Sequence, residues 1–199
     1  MEMVAAHNFL YTFSSMSSPR VNEGRVVYQN AWFAVRECDI ERNGARGKYP
    51  LVERPDAVVV IPLTPSGKTA LLKQFRFPTN ENSWELPMGA IEENEGAAAA
   101  ARRELAEEVG LQTGDLLKIG EYRPAPGLTS QKATVFVIRV GDDALQVSHA
   151  ESSEEIQQIR TMHWTELVRM AGEGAITDGF SLAALLLLQS WLNQQPKKS

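Results

Sequence analysis

The chain has 199 residues, 43% of them apolar and 23% charged, which suits one substantial globular domain with a small extension. A net charge of -5 argues against non-specific nucleic-acid binding, and a lone cysteine, Cys38, excludes an intrachain disulfide and fits a reducing cytoplasm. The most apolar stretch, Ala183–Leu188, is far too short to cross a bilayer, so no membrane partner is expected.

The opening MEMVAAHNFLYTFSSMSS carries Glu2 and lacks both a basic region and a clear apolar run, so a loosely ordered leader is expected in place of a signal peptide. Residues 25–39 are rich in Val, Tyr, Trp and Phe and predict strands, with Cys38 half-buried on one of them. A turn over Asn43–Gly47 returns the chain through GKYPLVER, completing a small N-terminal sheet. A boundary near Arg54–Pro55 follows, because proline restrains the chain there and offers no donor. This divides the chain into 1–54, the leader and small sheet, and 55–199, the main domain.

From Ala57, AVVVIPLT is a continuous apolar run, the mark of a strand covered on both faces. PSGK then reads as a turn and TALLKQFR as the hairpin partner of that strand. SWELP predicts a short strand, followed by a loop and a helix over Gly96–Val109. LKIGEYRP, KATVFVIRV and IQQIRTMHW supply further strands. Two helices close the chain, Thr165–Ala171 and Leu182–Leu192, the last capped by Asp178 or Ser181. Strands and helices interleave without regular βαβ alternation, so an α/β chain with a mixed sheet between helices is expected.

The segment GAIEENEGAAAAARRELAEEVGL, residues 89–111, carries the chemistry. At about 100° per residue, Ala98, Ala101, Leu105 and Val109 form one apolar stripe, and Glu104, Glu107 and Glu108 fall on a flank of it. Like charges so placed repel, which a divalent cation offsets, and hard oxygen donors suit magnesium or manganese. A solvated face of weak Arg–Glu pairs is the plainer alternative. The flanks favour the metal: Gly89 precedes the helix, Glu95 stands at its start and Gly110 closes it. Gly89 is expected to allow a turn and to let a backbone carbonyl approach an ion.

This segment resembles the Nudix box, G-x5-E-x7-R-E-U-x-E-E-x-G-U with U aliphatic. Gly89, Glu95, Arg103, Glu104, Leu105, Glu107, Glu108, Gly110 and Leu111 fill its specified positions without a departure. The resemblance implies an α/β/α sandwich with a mixed central sheet, plus a small antiparallel extension from the N-terminal residues. It implies Glu104 and Glu108 as magnesium ligands (manganese as the alternative ion), Glu107 as a ligand to a further ion or its waters, and the Met88 carbonyl completing the set. Arg103 would brace the glutamates by bonding to Glu95 or Glu107.

Outside the box, LLKQFRFP and SWELPMG resemble the lead-in of ADP-ribose pyrophosphatases. That likeness implies Arg76 at the diphosphate and Glu85 beside the site, although a strand-end charge and a rim residue are the plainer readings. Pro126, in RPAPGLTSQ, resembles the loop proline of ADP-ribose-type members, but Ser130 and Gln131 stand where relatives often carry an acidic residue. HAESSEEIQQI resembles the acidic loop of these enzymes, implying Glu154 as general base with Glu151 as second choice. GEGAITDGFSLAALLLL resembles the family's closing stretch, so the likeness spans most of residues 50–193. It also implies a homodimer that exchanges the N-terminal sheet, with Trp32 and Tyr49 stacking on adenine and Arg54 nearby; aromatics packed in the sheet or dimer interface are the alternative.

The function implied is magnesium-dependent cleavage of ADP-ribose or a related nucleoside diphosphate sugar into a nucleoside monophosphate and a sugar phosphate. The alternatives are another nucleotide sugar such as GDP-mannose, a non-catalytic ADP-ribose-sensing module, and a hydrolase of oxidised nucleoside triphosphates.

Overall fold

The computed structural model describes residues 20–22, 24–42, 44–112, 114–145 and 156–195. The chain divides into two compact units, Met1–Val52 and Glu53–Ser199. The first holds a four-stranded sheet of β1 (Arg20–Val21), β2 (Arg25–Gln29), β3 (Ala34–Arg42) and β4 (Ala45–Glu53). β3 is central: β1 and β2 pair with it antiparallel, and β4 also pairs with it. Gly24 turns the chain from β1 to β2 with φ +70, and a Cβ there would lie 2.7 Å from both Cys38 Sγ and the Glu37 carbonyl. Only glycine meets both demands. Cys38 itself is fully buried, not half-buried as expected.

The second unit contains β5 (Ala57–Leu63), β6 (Lys68–Arg76), β7 (Glu81–Glu85), β8 (Met88–Ala90), α1 (Ala97–Val109), β9 (Asp115–Tyr122), β10 (Ala133–Arg139), β11 (Ile156–His163), α2 (Trp164–Gly172) and α3 (Gly179–Gln194). One sheet has the order β8-β5-β10-β9, with β5 and β10 parallel and the outer pairs antiparallel; the other is β11-β6-β7. Every residue of β5 is buried, because successive side chains enter different cores. Val59, Ile61 and Leu63 pack with α2 and α3, while Val58 and Val60 pack with α1. The mixed sheet is thus covered on both faces, giving an α/β/α sandwich.

Three expectations are corrected. The turn after β5 closes as anticipated, the Thr64 N–H donating to the Lys68 carbonyl at 3.0 Å, but β5 and β6 do not form a hairpin. They separate into different sheets, because β5 pairs with β8 and β10 while β6 takes β7 and β11. The segment after SWELP is not simply a loop, since Met88–Ala90 pairs with β5 as β8. On α1, Ala98 is exposed, and the buried stripe is Ala100, Ala101, Leu105 and Val109, with Ala97 packed at its start.

Gly110 ends α1 in the left-handed region, φ 74, its N–H donating to the Ala106 carbonyl. Asp178, not Ser181, caps α3 by accepting the Ser181 N–H at 2.7 Å. Among the described residues no helix is long and apolar enough to cross a membrane.

Candidate functional site

A cavity of 530 Å³ opens within the second unit, walled by β8, the ends of β6 and β7, and the start of α3. Its lining includes Arg54, Arg76, Glu85, Gln131 and Asp178, together with all three residues of β8. The charged face of α1 packs against β8 and contacts each of its three residues. Glu108 accepts the Met88 N–H at 2.9 Å, and Arg103 donates to the Ala90 carbonyl at 2.8 Å. Between them Glu104 abuts Gly89 so closely that a Cβ there would lie 1.9 Å from one carboxylate oxygen and 2.4 Å from the other. Gly89 is therefore required for clearance, and it sits in a strand rather than in the expected turn.

Arg103 organises the acidic residues. Its guanidinium donates to Glu95 at 3.0 and 2.9 Å, to Glu104 at 2.7 Å and to Glu107 at 3.2 Å. Glu95, so bonded, is held below the usual carboxylate range. Glu104 and Glu108 differ, because burial dominates them. It raises Glu104 against the pull of Arg103, and it pushes Glu108 up to about 8 against the Met88 N–H. Two carboxylates one turn apart thus lie in a poorly solvated place, each adding to the cost of ionising its neighbours.

Hard oxygen donors set in this way fit a divalent cation. The fit rests on a pair of side chains with a backbone carbonyl: among the described residues no three acidic, histidine or cysteine side chains converge as a metal cage. Glu107 is exposed, whereas Glu104 is buried and Glu108 half-buried, so Glu104 and Glu108 form the better pair.

On the adjoining wall Arg76 and Glu85 form a two-bond ion pair, with Nε donating to Oε1 at 2.8 Å and Nη2 to Oε2. Glu85 is almost fully buried, so it is neither a rim residue nor a free ligand, and one edge of Arg76 is already engaged. The pair leaves Arg76 positively held, its pKa raised first by that bond and further by the fields of Asp178 and Glu108. Asp178 is itself raised by burial, opposed by the Ser181 N–H. Next to this wall, fully buried Ser181 ties α3 to the end of β7, its Oγ accepting the Leu86 N–H at 2.8 Å.

Of the residues singled out in the sequence, the structure brings Arg54, Arg76, Glu85 and Met88 to the cavity lining; Arg103, Glu104, Glu107 and Glu108 lie on α1 and are not part of that lining. Pro126 is exposed, and its loop leads to Gln131 on the cavity wall. Trp32 and Tyr49 are exposed and belong to the first unit, while Glu151 and Glu154 fall outside the described residues. Sequence reasoning treated Asp178 only as a cap and Gln131 only as a departure from a pattern. Both line the cavity, and the one available signal for Asp178 was its place in the closing ITDG stretch.

Fold and site together define a class: an α/β/α sandwich in which a glutamate helix backs a cavity fit for a divalent ion and an anionic ligand. The NUDIX domain family matches residues 53–181. The chain belongs to the Nudix family of pyrophosphohydrolases, in its ADP-ribose pyrophosphatase-like branch. It is 34% identical over 116 residues to the ADP-ribose pyrophosphatase of Bacillus subtilis (strain 168), a match that covers 58% of this chain and 60% of that one. It is 25% identical over 166 residues to the CMP-5'-(N-acetyl-N-hydroxy-3-aminopropyl)phosphonate hydrolase of Streptomyces rubellomurinus (strain ATCC 31215), covering 82% of this chain and 79% of that one. A solved structure described as the crystal structure of an ADP compounds hydrolase superposes with a TM-score of 0.76 at 23% identity, covering 93% of this chain and 100% of that one, which shows a shared fold. Nudix hydrolases generally use divalent metal ions.

Proposed function

We propose that this protein hydrolyses the pyrophosphate bond of ADP-ribose or a related nucleoside diphosphate sugar with magnesium, releasing a nucleoside monophosphate and a sugar phosphate. One observation carries the reading: three charged side chains of α1 clasp the three residues of β8, which face a cavity that also holds Arg76. A diphosphate lying along β8 meets a cation-binding wall and a guanidinium together.

Glu104 and Glu108, with the Met88 carbonyl, would hold the ion, and Glu107 would serve a further ion or its waters. A divalent ion there supplies charge neutralisation and Lewis acidity at the diphosphate. Arg103 orients Glu104 and the β8 carbonyl side, and Arg76 and Arg54 take the phosphate charge. The general base is assigned to Glu154, or to Glu151 in its place. The ADP-ribose pyrophosphatase activity of the Bacillus subtilis relative supports ADP-ribose, whereas the Streptomyces relative acts on a CMP derivative, which keeps other nucleotides in the panel.

A homodimer and a cytoplasmic setting belong to the same proposal. Val26, Val27, Tyr28 and Trp32 are exposed on the small sheet, which supports an apolar face that a second copy covers. Trp32 and Tyr49 remain candidates for stacking on the base.

The test is a panel of ADP-ribose, GDP-mannose and other nucleotide sugars, with magnesium, with manganese and with chelator, resolving the phosphate products. Metal-dependent release of AMP from ADP-ribose as the preferred substrate supports the reading. Binding of ADP-ribose without any AMP release would make the protein a sensor instead.

A further inference from the structure

We propose that Gln131 is a specificity residue whose side-chain carbonyl accepts a hydrogen bond from a sugar hydroxyl next to the diphosphate of the bound nucleotide sugar. The proposal rests on the pyrophosphatase reading above and adds a contact to it. Gln131 stands just before β10 and is buried to 5% exposure, yet it lines the cavity beside Arg54, Ala57 and Ala90. Its Nε2 donates to the Pro55 carbonyl at 2.6 Å. That carbonyl can only accept, so the amide has one orientation, nitrogen toward Pro55 and Oε1 away from it.

The backbone fixes the same place. The Gln131 N–H donates to Thr129 Oγ1 at 3.1 Å, the Lys132 N–H to Asp56 Oδ1 at 2.8 Å, and the Ala57 N–H to the Lys132 carbonyl at 2.8 Å. Side chain and main chain are thereby tied to residues 55–57, which removes most of the freedom a glutamine otherwise loses on binding.

Oε1 has no hydrogen-bond partner among the described residues, and it is not among the buried polar atoms sealed from solvent. A pinned amide thus presents one free acceptor to the cavity. An amide oxygen cannot serve as a base at neutral pH, and it repels phosphoryl oxygens, so it recognises a donor. The donors on a nucleotide sugar are sugar hydroxyls and base amines. Arg54 adjoins Pro55 in the chain, and Ala90 adjoins Gly89, which Glu104 backs, so this wall lies where the diphosphate is expected. A hydroxyl close to phosphate belongs to a sugar and not to the base.

The experiment measures kcat and KM for ADP-ribose and for analogues lacking one sugar hydroxyl at a time, in the wild type, Gln131→Met and Gln131→Glu. The wild type should lose roughly tenfold in kcat/KM on one analogue, about the worth of one hydrogen bond. Gln131→Met should lose as much on ADP-ribose and no more on that analogue. Gln131→Glu keeps an acceptor but no donor for Pro55, so it should lower Tm while still discriminating against the analogue. Wild-type turnover within twofold on every analogue, or an equal loss on all substrates in Gln131→Met, overturns the proposal. If the wild type released no AMP from any substrate, the pyrophosphatase reading would fail by itself. Calorimetric binding of ADP-ribose and the same analogues would then decide the Gln131 contact by the same tenfold difference.

Discussion

Gly89→Ala is the sharpest perturbation of the site, because its consequence can be worked from distances. The added Cβ would lie 1.9 to 2.4 Å from the Glu104 carboxylate, whereas ordinary contact begins at 3.4 Å, so the oxygens must retreat by about 1.0 to 1.5 Å. The backbone has no reason to refuse alanine, since residue 89 lies in a strand, and the clash is with the far end of a side chain. The fold should therefore survive while a proposed metal ligand is displaced. A misplacement of about 1 Å at a reacting centre costs roughly 100-fold, so kcat should fall by about that factor with Tm little changed. AMP release from ADP-ribose under saturating magnesium, measured beside thermal unfolding, reads both quantities. Glu104→Asp withdraws the carboxylate by one methylene, so the double variant should recover activity relative to Gly89→Ala alone. Wild-type kcat in Gly89→Ala would refute the reasoning, as would loss of the fold.

Glu108→Gln should reduce turnover by orders of magnitude and leave the fold intact. Because Glu108 is raised from 4.5 to about 8 in the fold, the native protein holds a proton that the unfolded chain releases between those values. In chelator, stability should consequently fall as pH rises through that window, and fall less in Glu108→Gln; equal pH profiles by urea titration would count against it. Arg76→Ala leaves the buried Glu85 carboxylate without its partner and should cost about 2–3 kcal/mol, less than the roughly 3–5 kcal/mol of a fully buried pair because Arg76 is 39% exposed. A loss below 0.5 kcal/mol in urea unfolding would show the pair is not desolvated. Ser181→Ala strips the buried Leu86 N–H of its acceptor and should cost about 1–3 kcal/mol, with an unchanged Tm as the contrary result.

Much of this was legible in the sequence where pattern and structure share a period. The continuous apolar run at Ala57–Leu63 announced a strand covered on both faces, and β5 is buried throughout. The resemblance to the Nudix box implies that Arg103 bonds to Glu95 or Glu107, and both bonds form. What stayed hidden depends on partners distant in sequence. β5 and β6 look like a hairpin because the turn between them is one, but β10 and β11, more than sixty residues later, decide their sheets. The clearance that Gly89 provides stays hidden for a similar reason: its neighbour in space is Glu104, fifteen residues on in the chain. The sequence leaves Glu85 either beside the site or on its rim; cross-strand register puts it opposite Leu72 on the inward face, where the bond to Arg76 offsets the cost of its burial.

The central claim is that carboxylates behind β8 make this chain a metal-dependent pyrophosphatase. It is tested most directly by removing divalent ions with chelator and following AMP release from ADP-ribose as magnesium is restored. The expected result is no turnover in chelator, saturable recovery with magnesium, and one ribose 5-phosphate formed for each AMP. Turnover that persists in chelator, or binding of ADP-ribose with no AMP at any magnesium concentration, would contradict it.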